Sequence, residues 1–161
     1  MALQKGSPAP DFKLKRKTAD GLEEVSLHER IKESKVVVLF FPMAFTGGCE
    51  KEMCMVSDGL AGLEALDATV LAVSVDSPFS QEIFAQKAGI KVPLLSDFNR
   101  EAAKAYDVLY DTFLPGKLDF KSVAKRSAFV VDKAGTIVYS WSTDDPSVMP
   151  DLDEIKAALE G

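Results

Sequence analysis

The stretch that decides the fold is "VVVLFFPMAFTGGCEKEMC", residues 36–54. It opens with six consecutive apolar residues, which is typical of a β-strand covered on both faces. From Gly47 onward, apolar side chains recur three or four residues apart, as on one face of an α-helix: Cys49, Met53, Val56, Leu60 and Leu63. The sequence therefore predicts a buried strand that leads directly into a helix, and both cysteines of the chain lie at the start of that helix.

The residues before this stretch predict an N-terminal β-hairpin. "DFKLK" (11–15) and "EEVSL" (23–27) alternate in polarity around the turn sequence "ADG". Ser26, followed three residues later by Glu29, predicts a capping box at the start of a short helix that runs to about Glu33. The basic cluster from Lys13 to Lys17 is expected to be a solvated strand edge.

The residues after it alternate between strand and helix patterns. Strands are expected at 68–75 and 92–97, helices at 78–89 and 99–108 (the second capped by Asp97 or Asn99), a hairpin at 126–141 and a final helix at 151–161. This order predicts an α/β protein with a central mixed β-sheet flanked by helices, which is a thioredoxin-like arrangement. We expect one domain over residues 1–161.

Composition and charge exclude several classes of protein. The net charge of −6 argues against nucleic acid as a partner, because phosphate binding needs a clustered basic face. No stretch approaches the roughly 20 apolar residues of a membrane span, and the N-terminus lacks a secretory-signal pattern. Two cysteines are too few for a secreted disulfide scaffold, so we expect a cytoplasmic protein.

Cys49 is expected where the helix begins, an environment that favours negative charge. The charged form of cysteine is the thiolate, the reactive nucleophile. Thr46 places a hydroxyl three residues upstream, and Pro42 is suited to shield the site because it presents no competing N–H group. The alternative is that Cys49 is an inert core thiol, since free cysteines are among the most buried residues.

The segment "FFPMAFTGGCEKE" resembles the peroxiredoxin active-site motif Pro-x-x-x-Thr/Ser-x-x-Cys. Pro42, Thr46 and Cys49 occupy its fixed positions, and Glu52 matches an acidic position of the family. The resemblance continues through "GSPAPDF", "VSVDSP", "PLLSD" and "RSAFVVDKAG", where Arg126 matches the family's arginine. The most similar subgroups are the bacterioferritin-comigratory (peroxiredoxin Q) proteins and the one-cysteine alkyl hydroperoxide reductase E type.

This resemblance implies an antioxidant, thiol-dependent peroxidase that reduces hydrogen peroxide and organic hydroperoxides through a sulfenic acid on Cys49. It implies that Arg126 stabilises the thiolate, that Thr46 aligns the peroxide and that Glu52 orients Arg126. No G-x-G-x-x-G follows a strand, so no dinucleotide or flavin cofactor is expected. Electrons then come from thioredoxin, glutaredoxin or a low-molecular-weight thiol, and the protein is a monomer or a homodimer.

Cys54 lies five residues after Cys49. On a regular helix that spacing separates the two Cα atoms by roughly 8 to 9 Å, beyond the limit of about 7 Å for a disulfide. The peroxiredoxin Q subgroup uses this spacing nonetheless, with the second cysteine resolving the sulfenic acid after the helix opens. The alternative is a one-cysteine enzyme that is resolved by an external thiol.

Three other functions are alternatives to a peroxidase. A thioredoxin-type disulfide reductase needs C-x-x-C at the helix start, but position 52 is glutamate. A metal site would have to combine His28 with the two cysteines, whose spacing fits no common zinc motif. A non-catalytic binding module of the same fold would show no fast reaction with peroxide.

A further hypothesis is an apolar mouth for alkyl hydroperoxides, formed by Phe45, Phe113, Leu114 and Pro115.

Overall fold

The computed structural model describes residues 1–161. It contains β1 (Lys13–Thr18), β2 (Gly21–Ser26), α1 (Leu27–Arg30), β3 (Lys35–Phe40), α2 (Gly47–Glu64), β4 (Ala68–Ser74), α3 (Pro78–Ala88), β5 (Leu94–Ser96), α4 (Glu101–Ala105), β6 (Ser127–Val131), β7 (Ile137–Ser142) and α5 (Leu152–Glu160). No helix is both long enough and apolar enough to span a membrane.

The strands form one sheet in the order β2-β1-β5-β4-β3-β6-β7. The three central strands β3, β4 and β5 are parallel, whereas β6, β7 and the β1–β2 hairpin add antiparallel pairs. The predicted mixed sheet, the N-terminal hairpin and the thioredoxin-like α/β arrangement are confirmed.

After Lys35, strand β3 is apolar because helices cover both faces of the sheet. Its side chains alternate between two cores, as the period of two along a strand requires. On one face Val36, Val38 and Phe40 pack with residues of α1 and α4. On the opposite face Val37 and Leu39 pack, together with Phe41 just after the strand, against α2, α3 and α5.

Two short helices end earlier than the sequence predicts. Helix α1 begins at the predicted cap, where the Ser26 hydroxyl accepts the Glu29 N–H, but it ends at Arg30 rather than near Glu33. Helix α4 spans only Glu101–Ala105, and the Asp97 carboxylate, just after β5, accepts the N–H groups of Ala102 and Ala103 in its first turn. The N-cap residue is Arg100, in a left-handed backbone conformation, so neither Asp97 nor Asn99 is the cap residue that the sequence predicts.

The basic residues of β1 do not lie at the edge of the sheet, which corrects the expectation from the sequence. Strand β1 lies between β2 and β5, and β2 is the edge strand. The ammonium and guanidinium groups form ion pairs with nearby glutamates: Lys15 with Glu24, Arg16 with Glu23, and Lys17 with Glu82. These pairs, across the hairpin and to α3, neutralise three of the four basic residues of the cluster and leave Lys13 without an ion pair.

The register between β3 and β6 brings two distant parts of the chain together. The strands are antiparallel, and Phe40 pairs with Ser127. The residue before β6, Arg126, therefore lies at the end of the sheet where β3 finishes and α2 begins. This is the same end at which the carboxyl termini of the parallel strands β4 and β5 lie.

Candidate active site

Six residues separate the end of β3 from the start of helix α2, and Cys49 is the third residue of the helix. The N–H groups of Gly48 and Cys49 make no hydrogen bond to a protein carbonyl, and the N-cap residue Thr46 makes no side-chain capping bond. Such free amides, with the helix dipole behind them, favour negative charge at this position. Cys49 is only 1% exposed, so the free amides and the helix dipole act on it in a poorly solvated environment.

The turn into α2 depends on an unusual backbone conformation at Phe45. Its φ angle of +67° lies in the left-handed region, which costs a residue with a side chain roughly 1–2 kcal/mol. The ring packs against the ring of Phe84 with 5.2 Å between centroids, and this contact offsets part of that cost. Pro42, which is buried, starts the same turn.

Thr46 has a hydroxyl with a defined orientation. Its Oγ1 donates a hydrogen bond to the Met43 carbonyl at 2.9 Å. With the hydrogen engaged there, the oxygen lone pairs remain available to accept a hydrogen bond from a ligand. The Ala44 N–H in the same loop donates to the Asp76 carboxylate at 2.8 Å, which fixes the loop to the end of β4.

Arg126 lies beside the Cys49 sulfur although 77 residues separate the two along the chain. Its Nη2 is 3.4 Å from Cys49 Sγ, and its side chain is only 1% exposed. Burial acts to lower the pKa of the guanidinium, but Glu52 and Cys49 raise it by more, so Arg126 stays charged. A permanent cation therefore faces the sulfur.

Glu52 holds the other end of the same guanidinium. Its Oε2 accepts a hydrogen bond from Arg126 Nη1, whereas its buried Oε1 has no hydrogen-bond partner. Burial raises the pKa of this carboxyl to about 7, although Arg126 acts in the opposite direction. The carboxyl group is therefore harder to ionise than a solvated glutamate.

A third group binds Arg126, and no residue pattern in the sequence indicates it. The backbone carbonyl of Pro146 accepts hydrogen bonds from Nε at 3.1 Å and from Nη2 at 2.9 Å. The segment 143–150 lies between β7 and α5, and Gly48 faces both this segment and the Arg126 side chain. A Cβ atom at Gly48 would lie 3.2 Å from Arg126 Nη2 and 3.6 Å from the carbonyl oxygen of Pro146. A backbone acceptor leaves no side-chain signal in the sequence.

Cys54 lies on the same unbroken helix as Cys49, and its thiol points elsewhere. Its Sγ donates to the Ala88 carbonyl at the end of α3, at 3.5 Å. Both cysteines are free thiols, and Cys54 is more exposed than Cys49. The helix geometry keeps the two sulfurs apart in this state.

The four residues predicted to form an apolar mouth do not all lie together in the structure. Phe113, Leu114 and Pro115 line one cavity of about 370 Å³ together with Tyr110 and Pro146, next to the Arg126 side of the site. Phe45 is not among its lining residues and packs on Phe84 instead. His28 is separate from the cysteines: its ring bonds the Ala9 carbonyl beside the hairpin.

Residues 5–140 match the AhpC/TSA family. The chain belongs to this family and is a peroxiredoxin, a thiol-dependent peroxidase. The resemblance seen in the active-site motif is thereby confirmed.

Two relatives and one solved structure illustrate the similarity. The chain is 34% identical over 140 residues to alkyl hydroperoxide reductase E of Mycobacterium tuberculosis, which is 86% of this chain and 84% of that one. It is 32% identical over 161 residues to the mitochondrial thioredoxin-dependent peroxide reductase of Drosophila melanogaster, covering 96% of this chain and 64% of the relative. The crystal structure of peroxidoxin BcpB from Mycobacterium tuberculosis superposes with a TM-score of 0.82 at 26% identity, covering 98% and 97% of the two chains.

Proposed function

We propose that Cys49 is the nucleophile of this peroxidase and that Arg126, Thr46 and Pro42 complete its catalytic site. The observation that carries the proposal is the 3.4 Å contact between Arg126 Nη2 and Cys49 Sγ at the start of α2. A cation and two free amides at one sulfur stabilise the thiolate, the form that attacks peroxides. The residues of the whole chain, 1–161, act as one catalytic domain.

In the first step the Cys49 thiolate attacks the terminal oxygen of a hydroperoxide. The S–O bond forms as the O–O bond breaks, and the departing alkoxide or hydroxide takes up a proton to become alcohol or water. Cys49 is left as a sulfenic acid. Arg126 and the Cys49 N–H stabilise the charge on the two oxygens during the transfer, and Thr46 aligns the peroxide by accepting its O–H.

Glu52 holds Arg126 in this orientation, and Pro42 limits access of water to the sulfur. The burial of Glu52 and its hydrogen bond to Nη1 support a positioning role, because a buried guanidinium keeps its direction only when its N–H groups have fixed acceptors. Hydrogen peroxide and organic hydroperoxides are both proposed as substrates, since the reacting O–O group is common to both.

The second step is proposed to be resolution by Cys54. Its thiol condenses with the sulfenic acid, forming a disulfide and releasing water. Because both residues lie on α2, the first turns of the helix must unwind. Deeper in the helix Ser57 Oγ accepts the Lys91 N–H at 3.0 Å, so unwinding is expected to stop before residue 57.

The family reduces peroxides with electrons from thioredoxin-type reductants. For this chain we propose thioredoxin, with glutaredoxin or a low-molecular-weight thiol as alternatives, acting on the Cys49–Cys54 disulfide by thiol exchange. Two free thiols suit a reducing compartment, so we propose the cytoplasm. A monomer and a homodimer are both compatible with these roles, because every group named here comes from one chain.

Stopped-flow reaction of the reduced protein with hydrogen peroxide tests the nucleophile. Wild type and Cys54→Ser are expected to share a fast first step, and Cys49→Ser to show none. A non-catalytic binding module would show no fast step in any of them. Full peroxidase turnover in Cys49→Ser would show that another residue is the nucleophile.

A further inference from the structure

The guanidinium of Arg126 has two fixed acceptors, and one of them belongs to a loop. Glu52 accepts from Nη1, and the Pro146 carbonyl accepts from both Nε and Nη2. Nη2 is also the atom that contacts Cys49 Sγ. The position of the Pro146 carbonyl therefore affects the position of the guanidinium that faces the Cys49 sulfur.

The loop 143–150 is tied to the molecule by contacts around Asp144. The hydroxyl of Tyr110 donates to the Asp144 carbonyl at 2.8 Å, two residues before Pro146. Lys125 Nζ pairs with the Asp144 carboxylate at 2.7 Å and lies over the Tyr110 ring, 5.8 Å from its centroid. The Asp144 carboxylate is largely exposed, so its ion pair with Lys125 is worth little. The tyrosine hydroxyl instead binds the backbone of the loop directly.

Tyr110 is itself held firmly. Its backbone N–H donates to the Val123 carbonyl at 2.8 Å, and its ring packs on Phe113 with 5.2 Å between centroids. Burial raises the pKa of its hydroxyl to about 12, with a further contribution from Asp144, so the hydroxyl remains a hydrogen-bond donor at neutral pH.

The loop has an internal turn that presents the carbonyl. Asp145 Oδ1 accepts hydrogen bonds from the N–H of Ser147 at 2.9 Å and from its hydroxyl at 2.6 Å. Asp145 is exposed and touches neither Cys49 nor Arg126, so it offers a second, independent way to loosen the loop.

We propose that Tyr110 is a positioning residue for peroxide reduction: its hydroxyl fixes the Asp144–Pro146 segment, whose Pro146 carbonyl holds Arg126 beside Cys49. This inference rests on the proposed roles of Cys49 and Arg126. Without the hydroxyl, the loop shifts and the guanidinium loses a fixed acceptor. Both stabilisation of the thiolate and alignment of the charge in the transition state are then weakened.

The test compares Tyr110→Phe with Tyr139→Phe, each in a Cys54→Ser background that leaves one thiol. Tyr139 is the matched control because its hydroxyl also makes one side-chain hydrogen bond, to Glu154, outside the site. The rate constant for hydrogen peroxide and the ultraviolet absorbance of the thiolate are measured from about pH 5 to about pH 9.

Tyr110→Phe is expected to react on the order of tenfold more slowly and to need higher pH to reach its maximal rate. Tyr139→Phe keeps the parent rate and profile. Asp145→Ala is expected to lower the rate and to shift its pH dependence in the same direction as Tyr110→Phe. If circular dichroism shows that Tyr110→Phe does not fold, Asp145→Ala becomes the deciding variant. A folded Tyr110→Phe with the parent rate and profile would overturn the proposal, and so would an unchanged Asp145→Ala if Tyr110→Phe does not fold. Turnover that survives in Cys49→Ser would instead overturn the proposed nucleophile.

Discussion

Phe40 pairs with Ser127 across the antiparallel strands β3 and β6, and this pairing brings Cys49 and Arg126 together. The chain leaves β3 just after Phe40 and turns into α2, while Arg126 directly precedes Ser127. A shift of one residue in this register would place the guanidinium on the other face of the sheet. The buried, alternating apolar side chains of β3 hold the register, so the contact between Arg126 and Cys49 depends on core packing.

Gly48 is predicted to be required for the position of Arg126. A Cβ at residue 48 would lie 3.2 Å from Arg126 Nη2, whereas a Cβ at Gly47 would have no neighbour within 4 Å. Gly48→Ala should therefore slow the reaction with hydrogen peroxide on the order of tenfold, and Gly47→Ala should keep the wild-type rate. Thermal melting checks that both variants fold. Equal rates for the two variants would contradict the prediction.

Arg126→Lys is predicted to lower the rate constant for peroxide by about 100-fold. A lysine ammonium lacks the planar fork that contacts Glu52, Pro146 and Cys49 together. Arg16→Lys, at an exposed ion pair with Glu23, is the control for an equivalent change elsewhere. Stopped-flow kinetics under single-turnover conditions give both values. A rate for Arg126→Lys close to that of Arg16→Lys would mean that charge alone is sufficient.

The stability of the reduced protein is predicted to fall as pH rises from about 4.5 to about 7. Burial raises the pKa of Glu52 from 4.5 to about 7, so over this range the folded state keeps a proton that the unfolded state has lost. The full effect corresponds to roughly 3 kcal/mol and is complete above the folded-state pKa.

Urea unfolding at several pH values, from about 4.5 to about 8, measures this slope. Glu52→Gln should have a shallower decline than wild type, whereas Glu50→Gln, an exposed neighbour on the same helix, should not. Burial also raises the pKa of Asp97, and its contribution to the pH dependence of stability is the same in all three proteins. A slope that is the same for Glu52→Gln and Glu50→Gln would show that Glu52 ionises as readily in the folded as in the unfolded chain.

Oxidation is predicted to unwind the start of α2. One equivalent of hydrogen peroxide should remove both free thiols of the wild type and part of its far-ultraviolet helix signal, because the disulfide cannot form on an intact helix. Cys54→Ser should lose one thiol and keep its helix signal. Loss of a single thiol in the wild type, with no change in circular dichroism, would indicate a one-cysteine enzyme.

The sequence predicts the elements that depend on local pattern and leaves out those that depend on tertiary contact. The apolar run of β3 and the helical spacing after Gly47 place Cys49 correctly, because each pattern is repeated over several residues. Arg126 could be recognised only through a family resemblance, since 77 residues separate it from Cys49. The carbonyl of Pro146 and the left-handed backbone of Phe45 carry no residue-type signal, so only the folded chain reveals them.

The hydrogen bond from Cys54 to Ala88 in the intact helix bears on how the protein withstands a sudden excess of oxidant. If Cys54 resolves the sulfenic acid, the oxidised sulfur must wait for the helix to open, and during that wait a second peroxide molecule competes for it. The second oxidation gives a sulfinic acid, which ordinary thiols do not reverse. The frequency with which this helix opens would then set the peroxide concentration above which the enzyme inactivates itself, and a more rigid helix would lower that threshold.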